Sequence, residues 1–247
     1  MLERMKPFLA ELLGTALLVL LGNGVVANVV LKQTKGHASG WLVITTGWAL
    51  AVTFAVYCVN AFSGAHLNPA VTVGLASIGR LDWAMVPIYV AAQMAGAFVG
   101  AVLVWCAYLP HWRLTEDAGA KLAAFATAPA VRSPLANVAC EAIGTGVLML
   151  GVLAILSPAN LVPNTGFEKG FAPALVGVMV WAVGISLGGP TGYAINPARD
   201  LGPRIAHAVL PIAGKGGSDW SYAWVPVVGP LMGGVLGAWM YRMLWGA

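Results

Sequence analysis

The sequence carries very little charge for its length. Only 9% of its 247 residues are Asp, Glu, Lys or Arg, whereas a soluble domain carries about 25%. Hydrophobic residues make up 59% of the chain, and the mean hydropathy is +0.81. This composition excludes a soluble globular protein and indicates an integral membrane protein, whose length suits a single domain over residues 1–247.

Cysteine and acidic residues are also scarce. The three cysteines lack the spacing of a zinc site, so we predict no metal site and expect buried thiols that serve packing. The nine acidic residues show no arrangement of a catalytic nucleophile with a general base. The sequence also contains no phosphate-binding loop. The sequence therefore predicts no catalytic residue, no enzyme activity and no cofactor. Because the basic residues are dispersed, the net charge of +4 does not indicate a nucleic-acid partner.

Six long apolar runs account for most of the chain. Each can cross a hydrocarbon core of about 30 Å, which takes about 20 residues. The runs are continuously apolar rather than alternating, which argues against a β-barrel. The first run contains Glu11 and is too long for a signal peptide, so we expect it to span. The runs are residues 7–31, 40–61, 83–109, 135–155, 171–188 and 223–245.

Two copies of the pattern Gly-x-x-x-Asn-Pro-Ala interrupt these runs. They place Asn68 and Asn196 directly before short apolar segments at residues 69–78 and Pro197–Val209. Asn is a strong N-cap, and Pro suits the first helical position. At about 1.5 Å per residue, each segment covers only half a bilayer. We therefore predict two re-entrant half-helices rather than surface loops.

The two halves of the chain resemble each other. Glu11-Leu12-Leu13-Gly14-Thr15 matches Glu141-Ala142-Ile143-Gly144-Thr145, and Gly96/Gly100 matches Gly233/Gly237. The predicted repeats cover residues 1–110 and 135–247, and residues 111–134 link them. Since each repeat has three spans, the second must enter the membrane from the opposite side. This all-α inverted repeat predicts a functional site at the midplane, unless the similarity is a coincidence of small-residue helices.

The half-helices should meet with both N-termini at the bilayer centre. Each N-terminus carries roughly half a positive charge, so a cation would be repelled. We expect the amide groups of Asn68 and Asn196 to face an open space as central donors. The extended stretches before them leave backbone carbonyls free to line a pore. These carbonyls are those of Gly64, Ala65, His66, Gly192 and Ala194.

Several ionisable residues stand at membrane depth. The carboxylates of Glu11 and Glu141 are expected to support the re-entrant loops by accepting hydrogen bonds from backbone N–H groups of those loops. A proton relay is the alternative. Arg199 is a candidate for gripping hydroxyl groups, and its alternative is a salt bridge with Asp200. His66 is expected to be a fixed wall residue, with a pH sensor as the alternative.

Together the paired Asn-Pro-Ala motifs and the inverted repeat resemble the major intrinsic proteins, the aquaporin family. The sequence is most similar to the glycerol uptake facilitator (aquaglyceroporin) branch, where Asp directly after Asn-Pro-Ala-Arg is typical. The resemblance implies a constriction formed by Trp48, Gly184, Tyr193 and Arg199, with Ile185 as an alternative to Gly184. The small Gly184 implies a wider opening than that of water-selective members, which typically have His there.

The resemblance implies a passive channel for glycerol, similar small uncharged solutes and some water. It also implies a homotetramer in the lipid bilayer of the plasma (inner) membrane, with both termini cytoplasmic; the basic residues divide too evenly to set the orientation. A water-selective channel stays an alternative, and a coupled transporter or ion channel is a further one. Because Tyr193 stands where the branch often has Phe, protonated lactic acid is also a possible solute.

Overall fold

A computed structural model describes residues 2–246, so only the two terminal residues of the predicted domain lie outside it. Within these residues the regular structure is helical throughout. The helices are α1 (Leu2–Val30), α2 (Trp41–Ser63), α3 (Pro69–Ser77), α4 (Val86–Ala107), α5 (Leu109–Leu114), α6 (Ala118–Ala123), α7 (Pro134–Ile155), α8 (Gly166–Leu187), α9 (Pro197–Val209) and α10 (Val225–Trp245).

Six of these helices are long and apolar enough to cross a membrane, and they are α1, α2, α4, α7, α8 and α10. A short 3₁₀ turn at Trp83–Met85 leads into α4. The half-helices α3 and α9 have 9 and 13 residues, too few to span. The prediction of six spanning helices and two half-helices is confirmed. The connector between the halves contains the short helices α5 and α6, which the sequence did not reveal.

The packing of the helices repeats between the two halves. Helix α1 packs against α2 and α4, and α7 packs in the same way against α8 and α10. The half-helices cross over: α3 lies against α10, and α9 lies against α4. The half-helix of each half therefore packs against a spanning helix of the other half.

Glycines set the closest approaches between the spanning helices. An ideal Cβ on Gly96 would lie 2.2 Å from the carbonyl oxygen of Leu12, and one on Gly233 would lie 2.1 Å from that of Ala142. A side chain at either position would push α4 away from α1, or α10 away from α7. These contacts give the paired Gly-x-x-x-Gly patterns a packing role, as is common between spanning helices.

The expectation of buried cysteines was wrong for two of the three. Cys58 and Cys106 are exposed, and Cys140 is half-buried. The physical reason is that lipid is as apolar as the protein interior, so an apolar run does not distinguish the two faces of a spanning helix. Hydropathy therefore locates the helices along the chain but not their buried sides.

Candidate functional site

The two half-helices begin at asparagine N-caps. The Oδ1 atom of Asn68 accepts from the backbone N–H of Ala70 at 2.9 Å. That of Asn196 accepts from Ala198 at 3.0 Å and from Arg199 at 3.2 Å. The proline that follows each Asn occupies the first helical position, where the missing N–H costs nothing. The Asn-Pro-Ala motif thus produces the same helix start twice.

Each asparagine also reaches across to the opposite loop. Asn68 Nδ2 donates to the carbonyl of Ile195 at 2.8 Å, and Asn196 Nδ2 donates to that of Leu67 at 2.7 Å. These reciprocal bonds join the N-termini of the half-helices. They also correct one expectation, because one amide hydrogen of each asparagine is already used between the loops. A single N–H on each is left for the cavity that both residues line.

The loops before the asparagines have an unusual backbone. Ala65, Leu67, Tyr193 and Ile195 have φ angles of 48°, 51°, 40° and 43°. Non-glycine residues rarely adopt this left-handed region; each costs of order 1–3 kcal/mol and persists only where its surroundings hold it. The matching angles in the two loops show that the internal repeat extends to the backbone conformation.

Two buried carboxylates hold these loops. Glu11 accepts from the backbone N–H groups of His66 and Leu67 at 2.9 and 2.7 Å, and Glu141 accepts from those of Ala194 and Ile195 at 2.9 and 2.8 Å. Glu11 also accepts from the side chains of Ser63 and Gln93. Every one of these bonds ends on a carboxylate oxygen, so the arrangement favours a support role.

His66 is held by its neighbours. Its Nδ1 atom lies 3.1 Å from the hydroxyl of Thr72, and its ring packs against that of Tyr89 with centroids 4.7 Å apart. Thr72 also accepts from Gln93. These contacts restrict the imidazole to one position beside the loop.

The loop carbonyls are the acceptors that stay open. Those of Gly64, Ala65, His66, Gly192 and Ala194 receive no hydrogen bond from the described residues. Ala65, His66 and Ala194 line the central cavity, whereas Gly64 and Gly192 are not among its lining residues. The three carbonyl groups whose residues line the cavity can find a partner there, which irregular backbone at membrane depth needs.

The central cavity has a volume of about 90 Å³ and two unlike walls. One wall is the row of loop residues from Ala65 to Asn68 and from Tyr193 to Asn196, together with Arg199. The other consists of apolar side chains from the spanning helices and from α3. These are Leu18, Trp48, Val52, Val56, Val71, Leu148, Val152, Val176 and Val180.

Arg199 and Trp48, which belong to different walls of this cavity, are in direct contact. The guanidinium carbon of Arg199 is 3.9 Å from the centroid of the Trp48 ring, which is a close cation–π contact. Both side chains are almost fully buried. The structure thus brings together two of the residues that the sequence placed in a constriction.

Tyr193 and Gly184 also meet. An ideal Cβ on Gly184 would lie 2.9 Å from the Cζ atom of Tyr193, so the glycine makes room for the tyrosine ring. Tyr193 lines the cavity and Gly184 does not, so the structure places the glycine beside the tyrosine ring and not at the cavity surface. Ile185, the alternative residue, is 47% exposed on the outer face of α8.

The sequence reasoning missed a buried ion pair beside this site. Asp200 and Arg204 lie 2.8 Å apart, and both side chains are 0% exposed. Asp200 also accepts from the backbone N–H and the hydroxyl of Thr127 in the connector. The alternative of an Arg199–Asp200 salt bridge is therefore not what the structure shows. The four-residue spacing of Asp200 and Arg204 was the available signal.

The comparisons with known proteins agree with this architecture. A family model described as "Major intrinsic protein" matches residues 1–241. The chain belongs to the major intrinsic protein family. It is 61% identical over 240 residues to a "Probable glycerol uptake facilitator protein" of Thermotoga maritima. The aligned residues cover 97% of this chain and 100% of that protein. The chain is 55% identical over 238 residues to the "Glycerol uptake facilitator protein" of Bacillus subtilis, covering 96% of this chain and 84% of that protein.

A solved structure places this major intrinsic protein in the same fold. The X-ray structure of the aquaglyceroporin from Plasmodium falciparum matches with a TM-score of 0.86 and 34% sequence identity, covering 98% of this chain and 97% of that one. The family and fold predictions are confirmed. Family membership and the six apolar helices make the protein an integral membrane protein.

Proposed function

We propose that this protein is a passive, non-enzymatic channel for glycerol and related small neutral solutes, with some water, and that it excludes ions and protons. The observation that carries the proposal is the cavity with one polar and one apolar wall. The names of the relatives in Thermotoga maritima and Bacillus subtilis support glycerol as the solute.

The two walls match the two edges of a polyol. Glycerol carries hydroxyl groups along one side of a three-carbon chain and C–H groups along the other. The open carbonyls of Ala65, His66 and Ala194 accept from hydroxyl groups, while Asn68 and Asn196 each have one N–H left to donate. The apolar wall contacts the carbon chain. A solute that lacks either edge leaves one wall without a suitable partner.

The charges of the site oppose cations. Both half-helix N-termini, which carry partial positive charge, meet at the cavity. Arg199 adds a full positive charge, and its side chain forms no salt bridge with any described residue. A hydronium ion or a metal cation would therefore meet positive potential in a cavity whose lining residues include no carboxylate.

Flux through purified protein in liposomes tests the proposal. In stopped-flow measurements, glycerol should enter the proteoliposomes faster than empty liposomes. Val180→Trp should reduce this rate strongly, because Val180 lines the cavity and is 6% exposed. Val178→Trp is the matched control on α8, since Val178 is 55% exposed, and it should conduct normally. Water flux without glycerol flux would favour the water-selective alternative, and no glycerol rate above that of empty liposomes would reject the proposal.

The hydroxyl group of Tyr193 favours protonated lactic acid as a second permeating solute. The buried Tyr193 Oη has no hydrogen-bond partner among the described residues, and such a group gains from a polar permeant. Protonated lactic acid carries a carbonyl oxygen, which only accepts, whereas every oxygen of glycerol belongs to a hydroxyl group that also donates. Tyr193→Phe should therefore lower the ratio of lactic acid to glycerol permeability, by about threefold or more. Equal changes for both solutes would show that this hydroxyl does not select between them.

For the assembly and its orientation, we propose a homotetramer with one pore per subunit in the plasma (inner) membrane. Both termini are placed in the cytoplasm; an even number of spans requires that they share a side. Membership of the family supports the tetramer. The mass of the detergent-solubilised complex and the accessibility of terminal tags in right-side-out vesicles test these points.

A further inference from the structure

Asn23 is a buried amide that the pore does not use directly. It stands on α1, its side chain is 0% exposed, and it does not line the cavity. A primary amide within a spanning helix is costly unless its polar atoms are paired. The position of Asn23 therefore calls for an explanation in terms of its partners.

Both ends of this amide are engaged. Asn23 Nδ2 donates to the carbonyl of Phe125 at 2.9 Å, and Asn23 Oδ1 accepts from Arg199 Nη1 at 3.5 Å, the outer limit of a hydrogen bond. A carbonyl only accepts, and a guanidinium only donates. The amide can satisfy both partners in one orientation alone, with its oxygen towards Arg199.

Phe125 gives the amide a firm attachment. It belongs to the connector between the halves and is 0% exposed. Its ring packs against those of Trp112 and His207, with centroids 5.5 and 5.4 Å apart. The orientation of Asn23 is therefore tied to a packed part of the connector.

Gly22, the residue before Asn23 on α1, makes room for Trp48, which is the other side chain in contact with Arg199. An ideal Cβ on Gly22 would lie 2.3 Å from the ring of Trp48, so only glycine admits the indole here. The Trp48 ring in turn lies against the Arg199 guanidinium. Two consecutive residues of α1 thus fix Arg199 from two directions, one through an aromatic ring and one through an amide oxygen.

We infer that Asn23 is a positioning residue that holds the Arg199 guanidinium in place and thereby sets the selectivity of the pore. The inference rests on the proposed function. No other side chain among the described residues hydrogen-bonds to this guanidinium. Without the amide oxygen, the guanidinium keeps only its contact with Trp48 and gains freedom to turn away from the path of the solute.

A double-mutant cycle tests whether Asn23 acts through Arg199. Asn23→Leu keeps the size of the side chain and removes both hydrogen bonds. On its own it should lower the ratio of glycerol flux to proton leak by about threefold or more. In the Arg199→Val background the same change should have no further effect on this ratio. Independent effects of the two substitutions, multiplying in the double variant, would overturn the inference.

The controls separate positioning from general damage. Asn28→Leu removes another amide from α1, one that accepts from the backbone of Gly36, and should leave the ratio unchanged. Asn23→Ser, which is too short to reach both partners, replaces Asn23→Leu if that variant does not fold. A wild type without glycerol flux would reject the proposed function, but the cycle read on the ratio of water flux to proton leak would still decide the inference.

Discussion

Replacing Arg204 by methionine should lower the free energy of unfolding by about 3–5 kcal/mol, the usual cost of breaking a buried ion pair from one side. The change leaves the carboxylate of Asp200 at 0% exposure without its cation. Thr127 still donates to that carboxylate twice, but two neutral donors do not balance a buried charge.

The effect is increased by the other bonds of Arg204. Its guanidinium donates to the backbone carbonyls of Ser218, Asp219 and Thr127. Loss of the side chain therefore releases acceptors in two segments, the connector and the loop after α9. A buried acceptor without a partner costs about 1–3 kcal/mol. These segments should separate from α9 before the spanning helices do.

Denaturant and thermal unfolding in detergent measure the loss. Arg132→Met is the matched control, because Arg132 pairs with Asp219 at the surface, where its side chain is 51% exposed, and it should cost far less. Adding Asp200→Asn to Arg204→Met should recover part of the stability, since the unpaired charge is then gone. Equal losses for Arg204→Met and Arg132→Met would show that burial does not decide the strength of this pair.

The architecture was readable from the sequence because its signals are local. The length and hydropathy of an apolar run indicate a membrane-spanning helix. An Asn-Pro pair shortly after a glycine indicates the start of a helix, whatever the tertiary surroundings. The matched Glu11 and Glu141 motifs reported the repeat. The cross-bonds of Asn68 and Asn196 were not foreseen, because they depend on the distance between loops that are 127–129 residues apart in the chain.

The residues around Arg199 illustrate where local signals end. Nothing near Asn23 in the sequence indicates that Phe125, 102 residues away, accepts from it. Gly184 looked like an opening in the pore, and only the fold places the ring of Tyr193 over it. The exposure of Cys58 could not be predicted from its apolar run. The lipid and the protein interior favour the same residue types, so the sequence does not show which of the two a side chain faces.

Arg199→Val should produce the largest change in selectivity. A unit charge about 4 Å from a permeating cation contributes about 4 kcal/mol of repulsion at an effective dielectric constant of 20. Its removal should raise proton or cation leak at least about tenfold, which takes only about 1.4 kcal/mol of that repulsion. The positive ends of α3 and α9 still meet at the cavity, so part of the barrier should persist.

Arg199→Lys separates the charge of this residue from its shape. Lysine keeps the positive charge but lacks the planar fork that grips paired hydroxyl groups and stacks on an indole. It should retain most of the exclusion of cations while glycerol flux falls. Proton flux in a pH-gradient dye assay, alongside glycerol flux on the same vesicles, gives both readings. If the valine and lysine variants leak equally, the charge of Arg199 is not the barrier, and exclusion then depends on the half-helix ends alone.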